Sequence, residues 1–96
     1  MNDEMLKELR ERIDGLDDGI VRLLNERTAL SVEIGRLKRE AGLDICDPSR
    51  EESIYRKLAQ NHGGMLPEGA LREIFREIIS ASRALQAPLT VSFLGP

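Results

Sequence analysis

From Leu6 to Ala41 apolar residues recur at alternating steps of three and four: Leu6, Leu9, Ile13, Leu16, Ile20, Leu23, Leu30, Ile34, Leu37 and Ala41. Arg27 fills the one register position where the apolar residue is missing. Such a stripe, lasting about five heptads, predicts a single helix from about residue 5 to 41. No proline interrupts it, and Gly42 is a natural stop. Three glycines inside it, Gly15, Gly19 and Gly35, each weaken a helix by up to roughly 1 kcal/mol against alanine, so packing must hold it together. At 1.5 Å per residue the helix would be roughly 55 Å long. The remaining chain is too short to cover so long a stripe, which implies burial against a second copy.

Two shorter helices follow. Asp47 is a good N-cap and Pro48 suits the first helical position. Ile54, Tyr55 and Leu58 give this second helix an apolar face, and Gly63-Gly64 ends it. Pro67 opens a third helix, whose expected buried stripe is Leu71, Ile74, Phe75, Ile78 and Ile79, continued on the same face by Ser82, Leu85 and Gln86. Ala87-Pro88 stops it. The fold class expected is therefore all-α, three helices with one very long N-terminal helix. Residues 88–96 read differently: Leu89 to Leu94 is β-prone and Gly95-Pro96 is a turn. The domain expected spans residues 1–87, and 88–96 is expected to begin a further domain or linker.

Composition narrows the function classes. With 96 residues the chain is one domain, and one this short leans on oligomerisation. One cysteine rules out a disulfide staple and fits a reducing cytoplasm, the default setting, or indifference to redox state. With one histidine and no paired cysteines, a zinc site is not expected. A net charge of −3 argues against nucleic acid, no apolar run is long enough for a membrane, and the N-terminus is not a targeting peptide. Cys46 is expected half-buried in the loop before the second helix, and neither it nor His62 is given a role.

Several polar residues sit where a purely structural helix would not put them. Arg27 occupies a seam position. A buried guanidinium needs an anion and several acceptors, or it costs several kcal/mol. Two readings stand: a register-setting residue paired across the interface, or a ligand-binding cation. Lys38, eleven residues on, leaves the helix on nearly the same face roughly 16 Å away, so the two cations can reach toward a small dianion between them. A solvated lysine is the plainer alternative. Arg10 lies seventeen residues before Arg27, roughly 25 Å away on one helix, and could meet Arg27 only if two long helices ran antiparallel. Arg50 sits in a first helical turn without the macrodipole rationale that Glu51 has. Ser82 and Gln86, one turn apart, can line one wall together, or mark where the third helix surfaces.

Arg10 in LRERID, Arg27 and Lys38 in ERTALSVEIGRLK, Asp47, Arg50 and Glu51 in DPSRE, and Ser82 with Gln86 in SASRALQ together resemble the all-helical (AroQ-type) chorismate mutases. The resemblance covers about residues 4 to 87, and its specificity lies in the ordered set of eight polar positions. It implies an intertwined antiparallel homodimer whose sites draw on both chains, and an intramolecular Claisen rearrangement of chorismate to prephenate in phenylalanine biosynthesis. It further implies that Arg27 and the partner subunit's Arg10 grip the two carboxylates and that Lys38 and Gln86 donate to the ether oxygen. Asp47 and Glu51 would lie near the ring hydroxyl, Arg50 and Ser82 would support the carboxylate network, and Ile34 and Ile79 would form apolar walls. No cofactor or metal is implied. The tail TVSFLGP resembles the opening of a prephenate dehydratase domain, which implies a bifunctional full-length protein regulated by phenylalanine.

That chemistry needs no nucleophile. It needs a compact substrate conformer and donors aimed at the breaking C–O bond, for which bidentate arginines and preorganised donors are suited. The nearest alternative is isochorismate-pyruvate lyase, which shares this helical fold. The alternative from another class is a non-enzymatic dimerisation module, which would leave Arg27, Lys38, Ser82 and Gln86 unexplained.

Overall fold

The computed structural model describes residues 2–61 and 63–86, which form three helices: α1 (Asn2–Ala41), α2 (Pro48–Asn61) and α3 (Glu68–Gln86). The described chain measures 60 × 38 × 19 Å, and α1 alone sets the long dimension. His62 and the β-prone tail at 88–96 lie outside the described residues.

The end of α1 and the starts of α2 and α3 each have a local cause. Gly42, at φ 74°, ends α1. The Gly42 amide donates to the Arg39 carbonyl at 3.2 Å and the Leu43 amide to the Lys38 carbonyl at 2.8 Å. This double reach-back of amides past a left-handed glycine satisfies carbonyls that a helix end leaves open. Asp44 Oδ1 then accepts from the Cys46 amide at 3.2 Å, a side-chain-stabilised turn. Asp47 Oδ1 accepts from the Arg50 amide at 3.1 Å, so Asp47 caps α2 with Pro48 in the first helical position, as its sequence predicts. Pro67 is the cap of α3 rather than its first residue: its carbonyl accepts from the Leu71 amide at 3.0 Å and the helix starts at Glu68.

α3 packs against α1 on one side and α2 on the other. Its covered arc is Leu71, Phe75, Ile78, Ile79, Ser82 and Gln86, spaced at helical intervals. Ile74 and Leu85, expected on that buried face, are exposed in the single chain, because α1 and α2 flank a narrower arc than the sequence pattern suggests. Cys46 is exposed rather than half-buried, since the turn at Asp44 carries it outward.

The α1 stripe stays open along its whole length. Among the described residues the one buried apolar side chain is Ile79, while Leu9, Ile13, Leu16, Ile20, Leu23, Leu30 and Leu37 are all about half-exposed or more. Monomeric soluble proteins rarely expose contiguous apolar surface of that extent. On the outward side Arg36 pairs with Glu33 and Glu40, and its hydrogen bond and charge hold the Glu33 carboxyl below its usual range.

Candidate functional site

The C-terminal half of α1, the turn into α2 and the C-terminal half of α3 enclose a cleft of about 260 Å³. Arg27, Leu30, Ser31, Ile34 and Lys38 line it from α1, Ile45 and Asp47 from the turn, Arg50, Glu51 and Ile54 from α2, and Ile79, Ser82, Arg83 and Gln86 from α3. Nine of the ten residues singled out in the sequence therefore meet here: Arg27, Ile34, Lys38, Asp47, Arg50, Glu51, Ile79, Ser82 and Gln86. Arg10 does not. It is exposed on α1 and does not line the cleft, as its distance of roughly 25 Å from Arg27 along the helix requires.

The cleft is positive in an acidic chain. Four cations (Arg27, Lys38, Arg50 and Arg83) face two carboxylates (Asp47 and Glu51), whereas the whole chain carries −3. Two charges are thus in excess where the protein otherwise has a deficit. A concave site lined by one sign concentrates ligands of the other.

Arg27 is half-buried, and its Nη1 donates to Ser82 Oγ at 3.2 Å. Among the described residues no carboxylate lies within ion-pair distance of it. A hydroxyl satisfies one of five guanidinium donors and none of the charge, so within one chain Arg27 keeps its charge and most of its donors open to an anion, whether a ligand or a carboxylate of a second copy. Ser82 is buried, which removes the reading that α3 simply surfaces there. Lys38 Nζ lies 3.8 Å from Asp47 Oδ2. The carboxylate that caps α2 therefore also steers the lysine, tying the start of one helix to the end of another. Glu51 pairs with Arg83, and that hydrogen bond, followed by the charge of Glu51, raises the Arg83 pKa. Gln86 Nε2 donates to the Ser31 carbonyl at 3.0 Å and to Ser31 Oγ at 2.9 Å. Leu30, Ile34, Ile45, Ile54 and Ile79 supply the apolar walls.

Leu30, Ser31, Ile45, Ile54 and Arg83 were not among the site residues expected from the sequence. Ser31 had a usable signal, one turn after Arg27 and close to Ile34 on the same face. Arg83 had none, since its partner Glu51 is thirty-two positions away. No group of three or more potential metal ligands occurs among the described residues, and no described helix is long and apolar enough to cross a membrane.

A family model described as chorismate mutase type II matches residues 9–87. The chain is 46% identical over 97 residues to the bifunctional chorismate mutase/prephenate dehydratase of Aquifex aeolicus, covering 97% of this chain and 27% of that protein. It is 37% identical over 86 residues to the chorismate mutase of Methanocaldococcus jannaschii, covering 86% of this chain and 85% of that one. Among solved structures, chorismate mutase (Form II) from Thermus thermophilus superposes with a TM-score of 0.83 at 41% identity, covering 84% of this chain and 92% of that chain. The chain spans about a quarter of the length of the bifunctional relatives it matches.

Proposed function

This chain belongs to the chorismate mutase type II family, and from that premise we propose that its cleft converts chorismate to prephenate. The observation that carries the reading is the excess of two positive charges in a cleft with apolar walls. The substrate has two carboxylates and an apolar ring, and it rearranges rather than exchanging groups with the protein. Arg27 binds one carboxylate, with Ser82 fixing the guanidinium from behind. The partner subunit's Arg10 binds the other in an antiparallel dimer, which the open α1 stripe supports. Arg50, which also lines the cleft, supports this carboxylate network.

In the rearrangement the ether C–O bond breaks as a new C–C bond forms, and negative charge gathers on the oxygen. Lys38 and Gln86 donate to that oxygen. One donor aimed at developing charge is worth roughly 3 kcal/mol when preorganised, and holding the two reacting ends together lowers the barrier further. Glu51 accepts the ring hydroxyl, with Asp47 beside it, and Ile34 and Ile79 pack the ring. No proton is transferred, and no residue is asked to act as acid, base or nucleophile. A cytoplasmic location belongs to the same reading, as does the tail at 88–96 as the start of a dehydratase-like domain, in line with the bifunctional relatives.

The test is turnover of chorismate by the purified chain, read as prephenate formation across a pH range. Because Gln86 is a neutral amide, kcat should stay nearly flat from mildly acidic to neutral pH. Gln86→Glu donates only while protonated, so its activity should rise as pH falls. A flat profile in that variant would remove Gln86 from the ether oxygen. Release of pyruvate from isochorismate in place of prephenate from chorismate would assign the cleft to the lyase instead.

A further inference from the structure

Gln86 is met by α1 at three of its parts. Its side-chain amide donates to Ser31, at 3.0 Å to the carbonyl and 2.9 Å to the hydroxyl. Its Cα, Cβ and Cγ rest on Gly35, the one buried residue of α1, where an added Cβ would stand 3.1, 2.8 and 3.0 Å from those atoms. Its carbonyl, left open at the end of α3, accepts from Arg39 Nη1. Ser31, Gly35 and Arg39 are spaced by four and so form one row on α1. A glutamine in the last turn of a helix would otherwise move among many rotamers, and ordering it costs entropy.

We propose that Ser31, Gly35 and Arg39 are positioning residues that aim the Gln86 amide before substrate arrives, an inference that rests on reading Gln86 as a donor to the ether oxygen. The Ser31 carbonyl fixes one N–H. The Ser31 hydroxyl accepts from the same N–H beside the carbonyl, so the second N–H stays open to the ether oxygen. Gly35 sets the depth, since any side chain there would lift α3 off α1 and withdraw the amide from the cleft. Arg39 fixes the backbone from which the side chain extends. A donor fixed in this way needs no reorganisation as the C–O bond breaks. If these contacts only fastened α3 to α1, their loss would lower stability and leave kcat unchanged in the folded protein.

A double-mutant cycle on the full chain separates the two, with kcat and KM for chorismate measured alongside circular dichroism. Ser31→Ala is suited to it because alanine favours a helix and keeps the backbone carbonyl. Ser31→Ala should lower kcat roughly three- to tenfold, the worth of one hydrogen bond, with KM little changed. In a Gln86→Ala background the same substitution should have no further effect. Ser31→Thr, which keeps the hydroxyl, should restore most of the loss. Arg39→Gln, at an exposed position, gives an independent arm with the same dependence on Gln86. Equal losses in both backgrounds, an unchanged kcat, or a loss confined to KM would overturn the proposal while leaving the mutase reading intact. A wild-type chain that does not turn over chorismate would sink that reading and this inference with it.

Discussion

Arg27→Ala should reduce kcat/KM for chorismate on the order of 10²- to 10³-fold while leaving helical content and oligomeric state unchanged. The magnitude follows from removing one member of a desolvated charge pair, which costs about 2–5 kcal/mol, at 1.4 kcal/mol per decade. The lack of structural damage follows from the geometry. Arg27 holds only Ser82 Oγ among the described residues, and no carboxylate is stranded by its loss. Its position in the heptad stripe calls for an apolar residue, so alanine is tolerated there or even stabilising. Arg27→Lys should recover only part of the activity, since an ammonium cannot make the planar two-point contact a guanidinium makes with a carboxylate. Steady-state kinetics with circular dichroism and sedimentation check this. A register-setting arginine would give the opposite pattern: altered assembly and unchanged turnover per folded protein.

Leu16→Asp should abolish both folding and assembly at micromolar concentration. Leu16 is 67% exposed in the single chain, and its neighbours on the stripe, Ile13 and Ile20, are each 54% exposed. With Ile79 as the one buried apolar side chain among the described residues, a lone chain has almost no core, so in the proposed dimer folding and dimerisation would be one event. A carboxylate in the middle of that seam leaves two unpaired charges about a two-fold axis. Such burial costs several kcal/mol, against a total stability of about 5–15 kcal/mol for ordinary proteins. Sedimentation and thermal melts followed by circular dichroism are the measurement. A Leu16→Asp chain that melts like the wild type as a monomer would mean that the stripe is a free surface.

How much of this was legible in the sequence depends on whether a feature is local. The length of α1, its end at Gly42 and the Asp47 cap follow from spacing and turn chemistry within a few residues, and they stand in the structure. Arg27, Ser82 and Gln86 were visible because each breaks an apolar pattern, and Lys38 because it lies about three turns after Arg27 on nearly the same face. Ser31, Arg39 and Arg83 break no pattern. The roles of Ser31 and Arg39 come from where the end of α3 lands on α1, at the contact with Gly35, and that of Arg83 from where α3 meets Glu51 on α2, and no periodicity along one helix encodes either meeting. In the same way the α3 pattern shows an apolar face but not how narrow an arc of it α1 and α2 of the same chain cover, which leaves Ile74 exposed in the single chain.

The central claim is a chorismate mutase site built from two copies, Arg27 from one and Arg10 from the other. It is tested most directly by mixing two inactive variants, Arg10→Ala and Arg27→Ala, after denaturation and refolding together. In a two-fold dimer half of the random pairs are mixed, and each mixed pair regains one complete site. The mixture should recover about a quarter of wild-type prephenate formation, where either variant alone has almost none. A mixture no more active than its components, with mixed dimers demonstrated by mass, would contradict the shared site.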